Sequence, residues 1–319
     1  MPANPTPRDT SSGAGCPSRE DIRLARSWLT WAVEPGDLGL HHALAELGPV
    51  ETARRLRAGA TAGPLRGLVG PARTVDRAGE DLRAAAEIGA RLVTPEDQEL
   101  PGGRLEGMRA GVDGGVAGSA PPVGLWVRGT GRLGEVCGRA VAVVGTRAAT
   151  AYGRRGAGDL AYRLAARGWT VVSGGGYGID AEAHRGALVA GGRTVAVLGC
   201  GLHRPSPSGH GALFDEMGRG GGVVVSEWPV ICVGLRSRLV ARNRLIAGLV
   251  DAVVVVEALP RSATVNTAWW ARTYRRPVMA VPGPATSAAS AGCHVLLRSG
   301  DARLVTNAEE IIELAGPGN

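Results

Sequence analysis

The sequence predicts an α/β fold: a doubly wound, mostly parallel sheet preceded by a small helical domain. Three observations carry that expectation. Six short apolar runs, at 141–144, 170–172, 194–198, 223–225, 252–256 and 278–281, are continuous instead of alternating, as strands are when helices cover both sheet faces. The stretches between them, such as 153–166, 181–190, 239–249 and 264–274, have the length and pattern of crossover helices. The second run leads into Ser173-Gly174-Gly175-Gly176 and a helical restart at Ile179, a strand, a bare-backbone turn and a helix N-terminus suited to an anion.

Taken in order, residues 1–18 are Pro, Ser, Thr and Gly with little to bury, and are expected to be a disordered tail. Ser18, with Glu20 and Asp21 behind it, opens an apolar rhythm through Ile22, Ala25, Trp28, Leu29 and Ala32 that predicts a helix of about four turns ending before Pro35-Gly36. Further helices are expected over 38–47, stopped by Gly48-Pro49, over 50–56 and over 84–90. Residues 19–98 thus read as a helical domain. The Gly, Pro and Ala content of 99–122, with Gly114-Gly115 and Pro121-Pro122, reads as a linker. Residues 123–129 alternate like a short half-buried strand that leads into the sheet domain, 123–316.

Composition narrows the function. The chain has 319 residues and no lysine, so all 36 basic residues are arginine, and Schiff-base and Walker-type lysine chemistry are excluded. The net charge of +7 is uneven: residues 1–137 carry −1 and residues 138–319 carry +8. That excess favours a polyanionic partner. Five cysteines lie far apart without a Cys-x-x-Cys, so neither a disulfide framework nor a zinc site is expected. With no bilayer-length apolar run and no leader pattern, the chain is expected to be cytoplasmic and free of membrane.

The motifs fall at one edge of the expected sheet. Gly145-Thr146-Arg147 follows the first run directly and places a hydroxyl and a guanidinium there. The turn from Ser173 through Gly174, Gly175, Gly176 and Tyr177 to Gly178 follows the second, so the two face one crevice and form a phosphate cradle. Tyr177 is the best-placed ring for stacking. A dinucleotide is not expected, because the fold's Gly-x-Gly-x-x-Gly fingerprint and its ribose-binding acid are missing, and no cofactor is assigned. Arg236, Arg238, Arg242 and Arg244 fall within nine residues, with no acid between Glu227 and Asp251, which suits a surface that tracks a phosphate backbone. Ser262, at a later helix start, either meets the same ligand or caps the helix. Asp180 and His184 share a helix face but find no third ligand or nucleophile, so they read as structural; no catalytic or metal site is assigned.

Gly145-Thr146-Arg147, the run from Ser173 to Leu188, Thr194 to Leu202, Arg242 to Leu249 and Pro282-Gly283 closely resemble the DNA-processing protein A family (DprA, also called Smf), in order from about residue 125 to 312. The N-terminal region looks like that family's small helical domain, of a sterile-alpha-motif or helix-hairpin-helix kind. The resemblance implies a Rossmann-like, homodimeric, non-enzymatic protein that binds single-stranded DNA, protects incoming strands in natural transformation and loads RecA recombinase. It places Arg147, Arg242, Asn243 and Arg244 at the DNA-facing pocket. The chain departs from the family pattern at Gly176 and Tyr177, where an arginine usually precedes the last glycine, at Leu239, where phenylalanine is common, at Ala263, and at Cys293-His294. It ends at Asn319, where many members continue into a winged helix, so no winged helix is expected. Related sheets also serve nucleotide phosphoribohydrolases, but 261–270 lacks their glycines and glutamate. A protein-interaction scaffold that has lost DNA binding is the third alternative.

Overall fold

The computed structural model of the chain describes residues 16–60, 63–65, 68 and 76–316. Of the expected tail, residues 1–15 lie outside the described residues. Ser18 begins the first helix, α1 (Arg19–Ala32), through a reciprocal capping box with Asp21. Within α2 (Leu38–Arg57), Gly48 leaves helical geometry at φ 74° and ψ 167° ahead of Pro49, so the helix breaks at the stop the sequence predicts. With α3 (Ala78–Glu87), these bury Trp28, Leu29, Ala32, Leu40 and Ala53 in their own cluster.

Two expectations are corrected here. The helix expected over 84–90 ends at Glu87, because Gly89 turns the chain at φ 67°, and Ala90–Val93 is strand β1. The helical region therefore contributes a strand to the sheet. The supposed linker is largely folded: it holds α4 (Gly102–Leu105) and α5 (Arg109–Asp113). Leu105 and Met108 join the main core, and Arg104 pairs with buried Asp251 and donates to the Gly138 carbonyl. The glycines of this segment mask its few anchoring side chains.

The sheet domain continues with β2 (Leu125–Arg128), α6 (Leu133–Val136), β3 (Ala140–Val144), α7 (Ala151–Ala166), β4 (Thr170–Ser173), α8 (Ile179–Val189) and β5 (Thr194–Leu198). It is completed by α9 (Gly211–Arg219), β6 (Val223–Ser226), α10 (Arg236–Ala241), α11 (Asn243–Gly248), β7 (Ala252–Val255), α12 (Ala263–Thr273), β8 (Val278–Ala280), α13 (Ala291–Arg298), β9 (Arg303–Leu304) and α14 (Ala308–Ala315). The strand order is β1-β2-β6-β5-β4-β3-β7-β8-β9. From β6 to β9 every pairing is parallel, whereas β1 and β2 add an antiparallel edge. Along β3, Val141 and Val143 enter the core on one face and Ala142 and Val144 that on the other, which is why the strand reads as continuously apolar. After β3 the chain winds outward through β4, β5 and β6, then returns to place β7 on the other side of β3. That reversal opens a crevice beyond the carboxyl ends of β3 and β7.

Candidate functional site

The crevice is a cavity of about 680 Å³. One side is formed by Gly145, Thr146 and Arg147 after β3, and the other by Arg261, Ser262 and Thr264 after β7, with the α10 segment and Arg242 closing it. Backbone bonds fix the loop after β3: Thr146 N–H donates to the Glu257 carbonyl at 2.8 Å, and Ile179 N–H donates to the Thr146 carbonyl at 3.2 Å. The Glu257 carboxylate is itself buried and accepts from Thr150 N–H at 2.9 Å and Thr150 Oγ1 at 2.5 Å. It therefore occupies the N-terminus of α7, and a free anion has no place there.

Arg242 lies between α10 and α11 and is 7 % exposed. Its Nε and Nη1 have no hydrogen-bond partner, and no carboxylate among the described residues lies within ion-pair distance of it. Burial lowers its pKa, Arg147 lowers it further, and Asp180 opposes both. The protein itself thus leaves this guanidinium short of acceptors. Asp180 also lines the cavity, but its Oδ2 already accepts from Gly176 N–H at 3.2 Å.

The glycine turn does not stand open as the expected phosphate cradle. A Cβ on Gly174 would overlap the Arg242 guanidinium, one on Gly175 would press on Leu198 and Phe214, and one on Gly178 would strike the Thr146 and Arg147 carbonyls. Ser173 is fully buried and donates to the Val143 carbonyl at 2.7 Å. The glycines thus admit protein groups to the turn, and Ser173, Gly174, Gly175 and Gly178 shape the site from behind. Gly176 is half-buried. Tyr177 is 51 % exposed and meets His210 edge-on at 4.6 Å.

The arginine segment divides. Arg236 and Arg242 line the cavity, while Arg238 stands outside its lining, donating to the Val233 carbonyl at 2.8 Å. Arg244 is a correction: it is 1 % exposed, pairs with Glu227 and donates to the Ala120 carbonyl at 2.7 Å, so its charge is spent inside the fold. Asn243 lines the cavity, but its Nδ2 is committed to the Ala263 carbonyl at 2.8 Å, where it fixes the start of α12. Ser262 does not cap α12 through its side chain; its buried Oγ has no partner and belongs to the cavity lining. Arg261 was not among the expected ligands, although its place just past β7 put it at the same edge.

Asp180 and His184 are each engaged by protein groups, Asp180 by the Gly176 N–H and His184 by Thr194. His184 is fully buried, and its Nδ1 lies 2.7 Å from Thr194 Oγ1, which itself donates to the Val171 carbonyl, so Nδ1–H is the donor to Thr194. Burial, with His210, Arg242 and Arg185 nearby, pushes its pKa down to about 3. Among the described residues no cluster of His, Cys, Asp and Glu could hold a metal, and no helix is long and apolar enough to cross a membrane.

A Rossmann-like sheet with an arginine-floored crevice at its switch point defines the class: a doubly wound α/β protein with a cationic crevice at the carboxyl edge of its sheet. The family described as DNA recombination-mediator protein A matches residues 107–316. A putative DNA processing protein DprA of Mycobacterium tuberculosis is 48 % identical over 295 residues, covering 92 % of this chain and 75 % of that protein. Protein Smf of Escherichia coli is 43 % identical over 173 residues, 54 % of this chain and 46 % of its own. The crystal structure of DNA processing protein A from Streptococcus pneumoniae superposes with a TM-score of 0.72 at 27 % identity, covering 91 % of this chain and 96 % of that one. The Helicobacter pylori protein, described for its single-stranded DNA binding mode, gives 0.55 at 30 % identity over 60 % of this chain and 86 % of its own. This chain belongs to the DNA recombination-mediator protein A family.

Proposed function

We propose that this chain binds single-stranded DNA in the crevice as a non-enzymatic recombination mediator, and that as a cytoplasmic homodimer it protects incoming strands in natural transformation and passes them to RecA. In this reading the sheet domain, 123–316, carries the DNA and the helical region, 19–98, is accessory. The observation that carries the proposal is the buried guanidinium of Arg242, unpartnered at Nε and Nη1 and placed on the crevice with Arg147, Arg236 and Arg261 around it. A single strand supplies a phosphate to that floor. Support for a non-catalytic role comes from Asp180, which lines the crevice, and from Glu257, whose carbonyl holds the loop after β3. Glu257 is engaged by Thr150, and Asp180 accepts from Gly176 N–H and faces Arg242.

The test is a fluorescence anisotropy titration of the chain with single-stranded and duplex oligonucleotides across several salt concentrations. Salt-sensitive binding that prefers single strands is the expected result. Absence of binding at low salt overturns the proposal. The RecA step is checked separately, by whether the chain speeds RecA assembly on strands already covered by a single-strand-binding protein.

A further inference from the structure

The sheet ends on β1. This strand pairs with β2 along one side, from Ala90 opposite Arg128 to Val93 opposite Leu125, and among the described residues no strand lies beyond it. Apart from that ladder, no backbone hydrogen bond among the described residues reaches residues 90–93. In an antiparallel edge strand, alternate residues turn their amide and carbonyl groups away from the partner. Such a row is a template for a further strand unless the protein covers it. The opposite edge, β9, is two residues long and offers little template. Along β1 the edge stands open: a groove of about 580 Å³ runs beside it and is lined by all four residues of the strand.

The two flanks of this groove differ in chemistry. On one, Ala90 and Leu92 join an apolar cluster with α3, whose Leu82, Ala85 and Ala86 line the groove. On the other, Arg91 donates to Glu99 through Nε at 3.0 Å and to the Gly129 and Gly131 carbonyls at 3.0 and 2.7 Å, and Arg132 lines the groove there. The lining is cationic, with Arg19, Arg23, Arg91 and Arg132 against Asp97 and Glu99. Both acids are already engaged, Asp97 by Arg23 at 3.1 Å and Glu99 by Arg91. Arg132 meets only Glu135, at 3.3 Å and outside the lining, and both of these side chains are exposed. The positive excess therefore falls to Arg19 and Arg132.

We propose that the edge of β1 docks an extended acidic peptide of a partner protein, which joins the sheet as a further strand. A strand presents successive side chains to opposite sides. Small apolar side chains of the peptide then meet Leu82, Ala85 and Ala86 of α3, and the alternate, acidic ones meet Arg91 and Arg132. The backbone of β1 supplies affinity, and the two unlike flanks supply the sequence pattern. A basic peptide is disfavoured by the arginine excess, and a wholly apolar one leaves the cationic flank unmatched. Four strands separate β1 from β3, so the docking site is remote from the crevice and a peptide here leaves the crevice free.

The test uses the full chain and short fluorescein-labelled peptides: one alternating valine and glutamate, one alternating valine and lysine, and the first again with alternate backbone amides N-methylated. The valine–glutamate peptide is expected to bind roughly tenfold more tightly than either of the others, and to slow amide hydrogen exchange in residues 90–93. Two variants at exposed positions, each checked for an unchanged Tm, probe the flanks separately: Arg132→Glu reverses the charge of one and Ala86→Trp fills the groove from the other. Each is expected to weaken the valine–glutamate peptide roughly tenfold. Absence of binding by that peptide overturns the proposal. Equal affinity for the lysine peptide overturns the acidic partner, and equal affinity for the N-methylated peptide, or unchanged exchange in residues 90–93, overturns strand addition.

Discussion

Gly174 has no side chain because the guanidinium of Arg242 occupies the space where its Cβ would be. The turn after β4 and the junction of α10 with α11 are 68 residues apart in sequence, and at this point they form one structure. Gly174→Ala is therefore expected to displace Arg242 without touching any residue that faces solvent. Single-strand affinity should fall by roughly tenfold and the salt slope by about 0.7, as for loss of one phosphate contact. Anisotropy titrations across salt check this, and a variant with unchanged affinity and slope shows that Arg242 does not hold phosphate.

Arg242→Met tests the same residue from the side of stability. A buried cation with unpartnered nitrogens is held against its own desolvation, and Arg147 adds repulsion. Replacement by an apolar chain of similar length should stabilise the fold by about 1–2 kcal/mol while weakening strand binding. Thermal unfolding and anisotropy together read both effects. A variant that loses stability would mark Arg242 as structural.

Much of this was legible in the sequence, for identifiable reasons. Continuous Val and Ala runs fixed the parallel sheet, and Gly145-Thr146-Arg147 landed on the crevice, because a run's end in sequence is the carboxyl edge in space. The roles of the glycines and of Arg244 were not legible. A Gly-Gly-Gly turn has the same sequence whether it leaves room for a phosphate or for an arginine side chain arriving from elsewhere in the fold. Arg244 belongs to a run that looks uniformly exposed, and only the tertiary placement of Glu227 and the Ala120 carbonyl reveals that its charge is compensated. The supposed linker misled through composition, since Arg104, Leu105 and Met108 anchor it despite its glycines.

His184 should give the fold a defined acid sensitivity. Its folded pKa is depressed to about 3 from an ordinary 6.5, so in acid the unfolded chain takes up a proton that the folded chain refuses. The stability it contributes is complete above pH 6.5 and is lost as the pH falls toward about 3. His184→Asn keeps an N–H able to donate to Thr194 and removes the titration. Denaturant unfolding at a series of pH values should show a shallower decline for the variant through that window; parallel curves would mean that His184 is not the group responsible.

Arg244 separates a buried ion pair from a ligand-binding arginine. With Glu227 it forms a pair almost wholly out of solvent, and burial pushes the Glu227 pKa up against the pull of Arg244. Arg244→Ala leaves that carboxylate uncompensated and should destabilise the fold by about 3–5 kcal/mol. The raised pKa of Glu227 fixes the sign of the pH effect: the variant should be least impaired in acid, where Glu227 is neutral, and should lose stability as the pH rises past the ordinary carboxylate range. The double replacement Arg244→Met, Glu227→Met removes both charges and should recover most of the loss. If Arg244 acts only inside the fold, the double variant binds single strands with the salt slope of the unmodified chain, because no phosphate contact has been removed. A slope lowered in the refolded double variant would return Arg244 to the DNA-facing set.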